Sequence, residues 1–233
     1  MALIDCRDLS FAYDGAVAVS GLNFSVDSGD YICVAGENGS GKSTLLRGLL
    51  RLKQPHSGEM SVDAGLKPHE IGYLPQQSPA QKDFPAGVYE VVVSGRLGGR
   101  GLRPFYTRAD KAAAHEAMEL LGVRGLAKQC YMDLSGGQQQ RVLLARAVCA
   151  AERVKLLALD EPSGGLDPAA QQSMYGLLSR LNGERGIAIV MVTHDVRGAL
   201  AYASHVLHLQ TRQLFFGTSR EYADSELGRS FMG

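Results

Sequence analysis

The chain has 233 residues, enough to bury a substantial core in one large domain or in a core with a subdomain. Lys plus Arg equals Asp plus Glu, so the net charge points neither to nucleic acid nor to an anionic membrane surface. No apolar run approaches the ~18 residues that span a bilayer. Charges at Asp5, Arg7 and Asp8 interrupt the N-terminus, which therefore does not read as a secretory signal. Cys6, Cys33, Cys130 and Cys149 form no C-x-x-C pair and read as reduced thiols in a reducing compartment. A soluble, cytoplasmic chain is expected, with other chains supplying any membrane spans.

Taken in chain order, residues 3–35 read as short strands joined by turns. Leu9 to Tyr13 followed by Asp14-Gly15 is a hairpin signal, and Leu22 to Val26 alternates apolar and polar. Tyr31 to Ala35 reads as a buried strand. From Gly41 the period changes: Leu45, Leu46, Leu49, Leu50 and Leu52 recur at helical spacing, and Pro55 with Ser57-Gly58 is expected to stop that helix. Ile71 to Leu74 reads as a second buried strand ended by Pro75. Residues 79 to about 135 read as a mostly helical insert, in which Thr107-x-x-Asp110 resembles a capping box opening a helix up to Gly122. A helix after Ser135 leads to a third buried strand at 156–159. Further strands are expected at 187–193 and 206–209, with a turn at Phe215-Phe216-Gly217. Apolar strands alternating with helices imply an α/β fold whose mainly parallel sheet is covered on both faces, with an antiparallel β-subdomain at the N-terminus.

The stretch Gly36-Glu37-Asn38-Gly39-Ser40-Gly41-Lys42-Ser43-Thr44 fits G-x-x-x-x-G-K-[ST], between a strand and a helix as that P-loop pattern requires. Its glycines let the backbone curl so that successive N–H groups face phosphate oxygens, and the following helix adds its positive end. Lys42 supplies charge for the β- and γ-phosphates of ATP, and the Ser43 hydroxyl suits Mg²⁺. Asp160 and Glu161 end a buried strand, where open α/β sheets bind ligands. Asp160 suits the metal, directly or through water; Glu161, one residue on, suits polarisation of an attacking water.

Leu134-Ser135-Gly136-Gly137-Gln138 stands about twenty residues before Asp160-Glu161, the order and spacing of the ABC ATPases. Alone it could be a helix N-cap; with the P-loop, the chain resembles that family over about residues 3 to 220. The resemblance implies several roles. Tyr13 looks like the aromatic residue on which adenine stacks. Gln76 resembles the glutamine that senses Mg²⁺ and signals to membrane subunits, with Gln77 the adjacent alternative. Ser163-Gly164-Gly165-Leu166-Asp167 resembles the D-loop, although the family more often has alanine at the Gly165 position. Val192-Thr193-His194-Asp195 resembles the H-loop, which puts His194 at the γ-phosphate. His205 and His208, at odd spacing on a strand, read as structural rather than as a metal pair.

The resemblance further implies a single ABC ATPase domain over 1–233 with the helical subdomain at 79–135 inserted in it. It implies a head-to-tail dimer in which Ser135 to Gln138 and Asp167 complete the ATP site of a second copy. As partners it implies integral-membrane permease subunits and a separate substrate-binding protein, with no nucleic acid, and a peripheral place on the inner face of the cell membrane. Non-transport relatives acting on DNA insert a long coiled coil where about sixty residues stand here. Ribosome-acting ones carry two ATPase domains, and P-loop kinases lack the 134–138 signature. Residues 84–96 look like the corresponding stretch in zinc/manganese-type metal importers, and passably like that of iron–siderophore and cobalamin importers. A permease-docking surface is expected over 76 to about 103, made flexible by Gly95, Gly98, Gly99 and Gly101 and basic by Arg96, Arg100 and Arg103.

Overall fold

The computed structural model describes residues 2–77, 84–99, 104–151 and 153–232. Strands β1 (Ala2–Tyr13) and β2 (Ala16–Asp27) form the expected hairpin, closing with Tyr13 opposite Ala16. Asp14 and Gly15 take φ of 48° and 83°, the left-handed pair that a two-residue turn needs to follow the strand twist. Helix α1 (Lys42–Leu49) stops earlier than its leucine spacing suggests. Arg51 adopts φ 57°, and Leu52 is 70% exposed rather than part of the buried face of Leu45, Leu46 and Leu49. Ser57-Gly58, expected only as a helix stop, begins strand β4 (Ser57–Val62), which pairs antiparallel with β1 at the edge of a β2-β1-β4 sheet. Its alternation is confined to Met60 and Val62, which pack on the core, so a short pattern of two apolar residues is all that announces it.

The second sheet has six strands in the order β5 (Ile71–Leu74), β6 (Leu156–Asp160), β7 (Ala188–Val192), β3 (Tyr31–Ala35), β8 (His205–Leu209) and β9 (Gln213–Thr218). All neighbours are parallel except β8 and β9. The α/β class with a mainly parallel sheet and an N-terminal antiparallel sheet is therefore present. Phe215-Phe216-Gly217 corrects the expectation of a turn there: these residues lie within β9, and the chain reverses before it, where Thr211 takes φ 56°. Consecutive phenylalanines hide the strand because both faces are apolar. Phe215 packs at 5.3 Å on Tyr222, and Phe216 at 5.8 Å edge-on against Phe24.

Strand periodicity builds two cores from one sheet. Cys33, Leu157, Leu159, Ile189 and Met191 face one side, covered by helices. Ile32, Val34, Leu156, Ala158 and Val190 face the other, covered by α1 and the three-stranded sheet. Between β5 and β6 the described residues form α2 (Val88–Val93), a 3₁₀ stretch (Ser94–Gly99), α3 (Arg108–Leu120) and α4 (Gly136–Ala150). Helix α3 opens as its sequence suggests. The Asp110 N–H donates to Thr107 Oγ1 (3.1 Å), and the Asp110 carboxylate accepts from the Thr107 N–H (2.9 Å). After β6 come α5 (Pro168–Arg185), α6 (Val196–Leu200), α7 (Ser219–Asp224) and α8 (Glu226–Met232).

Two features of the expected docking segment differ. Arg96 is not a free surface cation: its guanidinium pairs with Asp110 (3.0 Å) and donates to the Cys149 carbonyl (3.4 Å). Gly95 is a packing glycine, since a Cβ there would collide with the Arg146 carbonyl. Arg100, Gly101 and Arg103 lie outside the described residues. His205 and His208 occupy β8 as expected, His205 stacked over Phe216 and His208 bonded through Nδ1 to the Tyr222 hydroxyl at 2.7 Å. Among the described residues, no helix is long and apolar enough to cross a membrane, and no His/Cys/Asp/Glu cluster could hold a metal.

Candidate functional site

The C-terminal ends of β3, β6 and β7 converge, with Val34 and Asp160 both in register with Val192. The loop leaving β3 runs directly into α1, and its shape depends on glycine at two points. Gly36 has φ 143°, and a Cβ there would collide with the Leu209 carbonyl. Gly41 has φ 94°, and a Cβ would come within 2.7 Å of the Val19 side chain. The loop curls around the Lys42 ammonium, which donates to the carbonyls of Gly36 (2.8 Å) and Glu37 (2.6 Å). The cleft above it holds about 390 Å³ and is lined by Asn38, Gly39, Gly41, Lys42, Ser43 and Thr44 on one side. Gln76, Glu161 and His194 line the other.

Glu161 lies at the centre of that second wall. Its φ is 53°, a left-handed conformation that costs a non-glycine residue about 1–3 kcal/mol and turns the side chain back from the end of β6. The backbone is held there by a bond from the Glu161 N–H to the Val192 carbonyl (2.9 Å). The carboxylate is clamped on both oxygens: Gln76 Nε2 donates to Oε2 at 3.2 Å, and His194 Nε2 approaches Oε1 to 2.5 Å. Gln77 turns away, its amide donating to the Tyr131 hydroxyl at 2.9 Å. Of the two adjacent glutamines, only Gln76 reaches the cleft.

Burial and charge act together on the remaining groups. Burial pushes the Asp160 carboxyl up; a hydrogen bond from Ser43 opposes this, Glu161 adds to it, and Lys42 and Arg47 oppose it. Burial also pulls the Lys42 ammonium down, offset by Glu161, Asp160 and Glu37. The ammonium thus feels the charge of three acidic residues. Ser43 and Asp160 supply hard oxygen donors among several acidic groups and fit a small divalent cation such as Mg²⁺.

The other residues singled out from the sequence stand apart from this cleft. Tyr13 is 40% exposed at the end of β1; Arg47 donates to its hydroxyl (3.3 Å), and the Lys53 ammonium sits 3.6 Å above its ring. Neither cation was singled out, although Arg47 follows Thr44 at i+3 on α1 and so shares its face. Ser135 N-caps α4 and forms a reciprocal box with Gln138. Gly136 and Gly137 face the start of α5: a Cβ on Gly136 would come within 3.5 Å of Leu166, and one on Gly137 within 3.3 Å of Ala170. Asp167 N-caps that helix. Ser135 to Gln138 and Asp167 therefore form a second patch and do not line the phosphate-loop cleft.

Residues 19–164 match the ABC transporter family. The zinc uptake system ATP-binding protein ZurA of Listeria innocua is 35% identical, covering 97% of this chain and 91% of that protein. The manganese transport system ATP-binding protein MntB of Bacillus subtilis is 34% identical, covering 99% and 92%. Among solved structures, the dimeric bacterial ABC transporter cassette MJ0796 superposes with a TM-score of 0.75 at 26% identity, covering 93% of this chain and 99% of that one.

Proposed function

Because the chain belongs to the ABC transporter family and is an ATPase, we propose that it is the motor subunit of an importer of divalent metal ions, zinc or manganese in type. The observation that carries the catalytic reading is the Glu161 carboxylate, clamped by Gln76 and His194 across the cleft from Lys42 and Ser43. In this reading Glu161 polarises the attacking water, and His194 stands at the γ-phosphate and orients Glu161. The loop N–H groups of 36–44 and Lys42 hold the phosphates, while adenine stacks on Tyr13. Ser43 and Asp160, with Gln76 close by, would hold Mg²⁺, which supplies charge neutralisation on the β- and γ-phosphates when bound.

The second patch supports a composite site. Ser135, Gly136, Gly137 and Gln138, with Asp167 beside them, would close over the phosphate loop of another copy in a head-to-tail dimer, excluding water from the transferred group. The dimeric arrangement of the MJ0796 cassette supports this. We further infer that 1–233 acts as one ATPase domain with 79–135 as its inserted helical subdomain. The permease would dock in an open groove of about 530 Å³ lined by Phe84, Ala86, Val91, Tyr131 and Leu143 together with Glu90, Ser94 and Arg146. Gln76 and Gln77 link the two places, one amide on Glu161 and the next on Tyr131 in the groove. A membrane permease and a separate substrate-binding protein complete the transporter, which holds this chain at the cytoplasmic face. Vesicles carrying the chain with its co-purified permease should take up zinc or manganese only with ATP. ATP-dependent uptake of a different cargo would reject the metal assignment and keep the motor.

A further inference from the structure

We propose that Tyr175 is a positioning residue that fastens the loop carrying Glu161 to the loop carrying His194. This rests on the assignment of those two residues to hydrolysis. Tyr175 lies in the middle of α5, is 2% exposed, and has no atom in the cleft itself. Its hydroxyl meets three partners from two loops: Ser163 Oγ at 3.0 Å, Thr193 Oγ1 at 3.3 Å and Asp195 Oδ2 at 3.2 Å. The hydrogen-bond inventory closes. The phenol donates its one proton to the Asp195 carboxylate and accepts from the Ser163 and Thr193 hydroxyls. Burial, with the Asp195 charge and hydrogen bond, holds the phenol neutral as that arrangement requires.

Each partner is one step from the chemistry. Ser163 follows Glu161 by two residues in a turn closed by the Gly164 N–H on the Glu161 carbonyl (3.0 Å). Thr193 directly precedes His194, and its hydroxyl also accepts from the Asp195 N–H (3.1 Å). Asp195 in turn caps α6 through the Gly198 N–H (3.0 Å). A Cβ at Gly198 would collide with the Asp195 carboxylate and come within 3.0 Å of the Tyr175 ring, so glycine there leaves room for both. Within the cleft the two loops meet at the 2.5 Å contact of Glu161 with His194, and one phenol joins them from beneath. A displacement of a few tenths of an ångström in either loop reaches that contact directly.

The test compares three single variants of the full chain: Tyr175→Phe, which keeps the ring; Ser163→Ala, which leaves Tyr175 in place; and Glu161→Gln. The proposal expects kcat to fall about tenfold in Tyr175→Phe and similarly in Ser163→Ala, with equilibrium MgATP binding unchanged and melting temperatures within about 4 °C of the parent. The Ser163→Ala/Tyr175→Phe double variant should be no slower than either single, because both remove one linkage. Parental kcat in Tyr175→Phe, additive losses in the double variant, or a loss of binding that matches the loss of turnover would each overturn the proposal. Full turnover in Glu161→Gln would instead overturn the assignment beneath it.

Discussion

Glu161 is where the residue-scale chemistry concentrates. Its positive φ, its backbone bond to Val192 and its two side-chain clamps fix a carboxylate opposite Lys42. Glu161→Gln keeps the volume and the Gln76 contact but removes the carboxylate proposed as the base. Turnover is therefore expected to fall by a factor of about 100 or more while MgATP binding persists, read by steady-state hydrolysis against equilibrium nucleotide binding. A hydrolysis rate near that of the parent would remove Glu161 from the base role. The phosphate-loop residues and Glu161 are legible from spacing, because such a loop needs glycines and a lysine at fixed offsets and a strand end needs its acids; Gln76 and His194 are legible only through the family resemblance. Tyr175 is legible by neither, since a tyrosine inside a helix reads as core until its hydroxyl finds partners on other elements. Nor could the sequence separate Gln76 from Gln77. Only the direction in which each side chain leaves the loop after β5 distinguishes them.

At the scale of elements, signals are readable where residue chemistry is local or an apolar run is short and bounded by turns. The Thr107 cap, the Asp14-Gly15 turn and the fully buried strands β3, β6 and β7 carry them. Strand β4 offers only Met60 and Val62 on its core face, too short an alternation to announce a strand, and β9 is apolar on both faces. The α3 cap yields a pH prediction. Bonds from Thr107 and the Arg96 guanidinium pull the Asp110 carboxyl down from 3.8 to about 2. A depressed carboxyl stabilises the fold above its unfolded value and loses that contribution as pH falls through its folded value. Asp110→Asn is therefore expected to lower stability by about 1–2 kcal/mol at pH 6, with the difference from the parent shrinking as pH drops from 5 toward 3. Thermal melts over that range check it. A gap that stays constant or widens in acid would show that the Asp110 charge does not anchor α3. The same pair removes Arg96 from any docking role that needs a free cation.

On the scale of the whole molecule, one sheet divides the chain into two cores and brings three strand ends together beneath the phosphate loop. It leaves the 135–138 turn and Asp167 on a separate patch. That separation is the physical ground for a site that one chain cannot complete. Complementation tests it most directly. Lys42→Ala disables the phosphate loop, and Ser135→Arg disables the opposing patch. Each variant alone carries a defect in both sites of its homodimer. Mixed in equal amounts, half of the dimers pair the two chains, and in each of those one site combines an intact loop with an intact patch. The composite site therefore predicts that two inactive proteins recover about a quarter of the parental hydrolysis rate on mixing. A mixture no faster than its components, or a Ser135→Arg protein that hydrolyses at the parental rate alone, would contradict it.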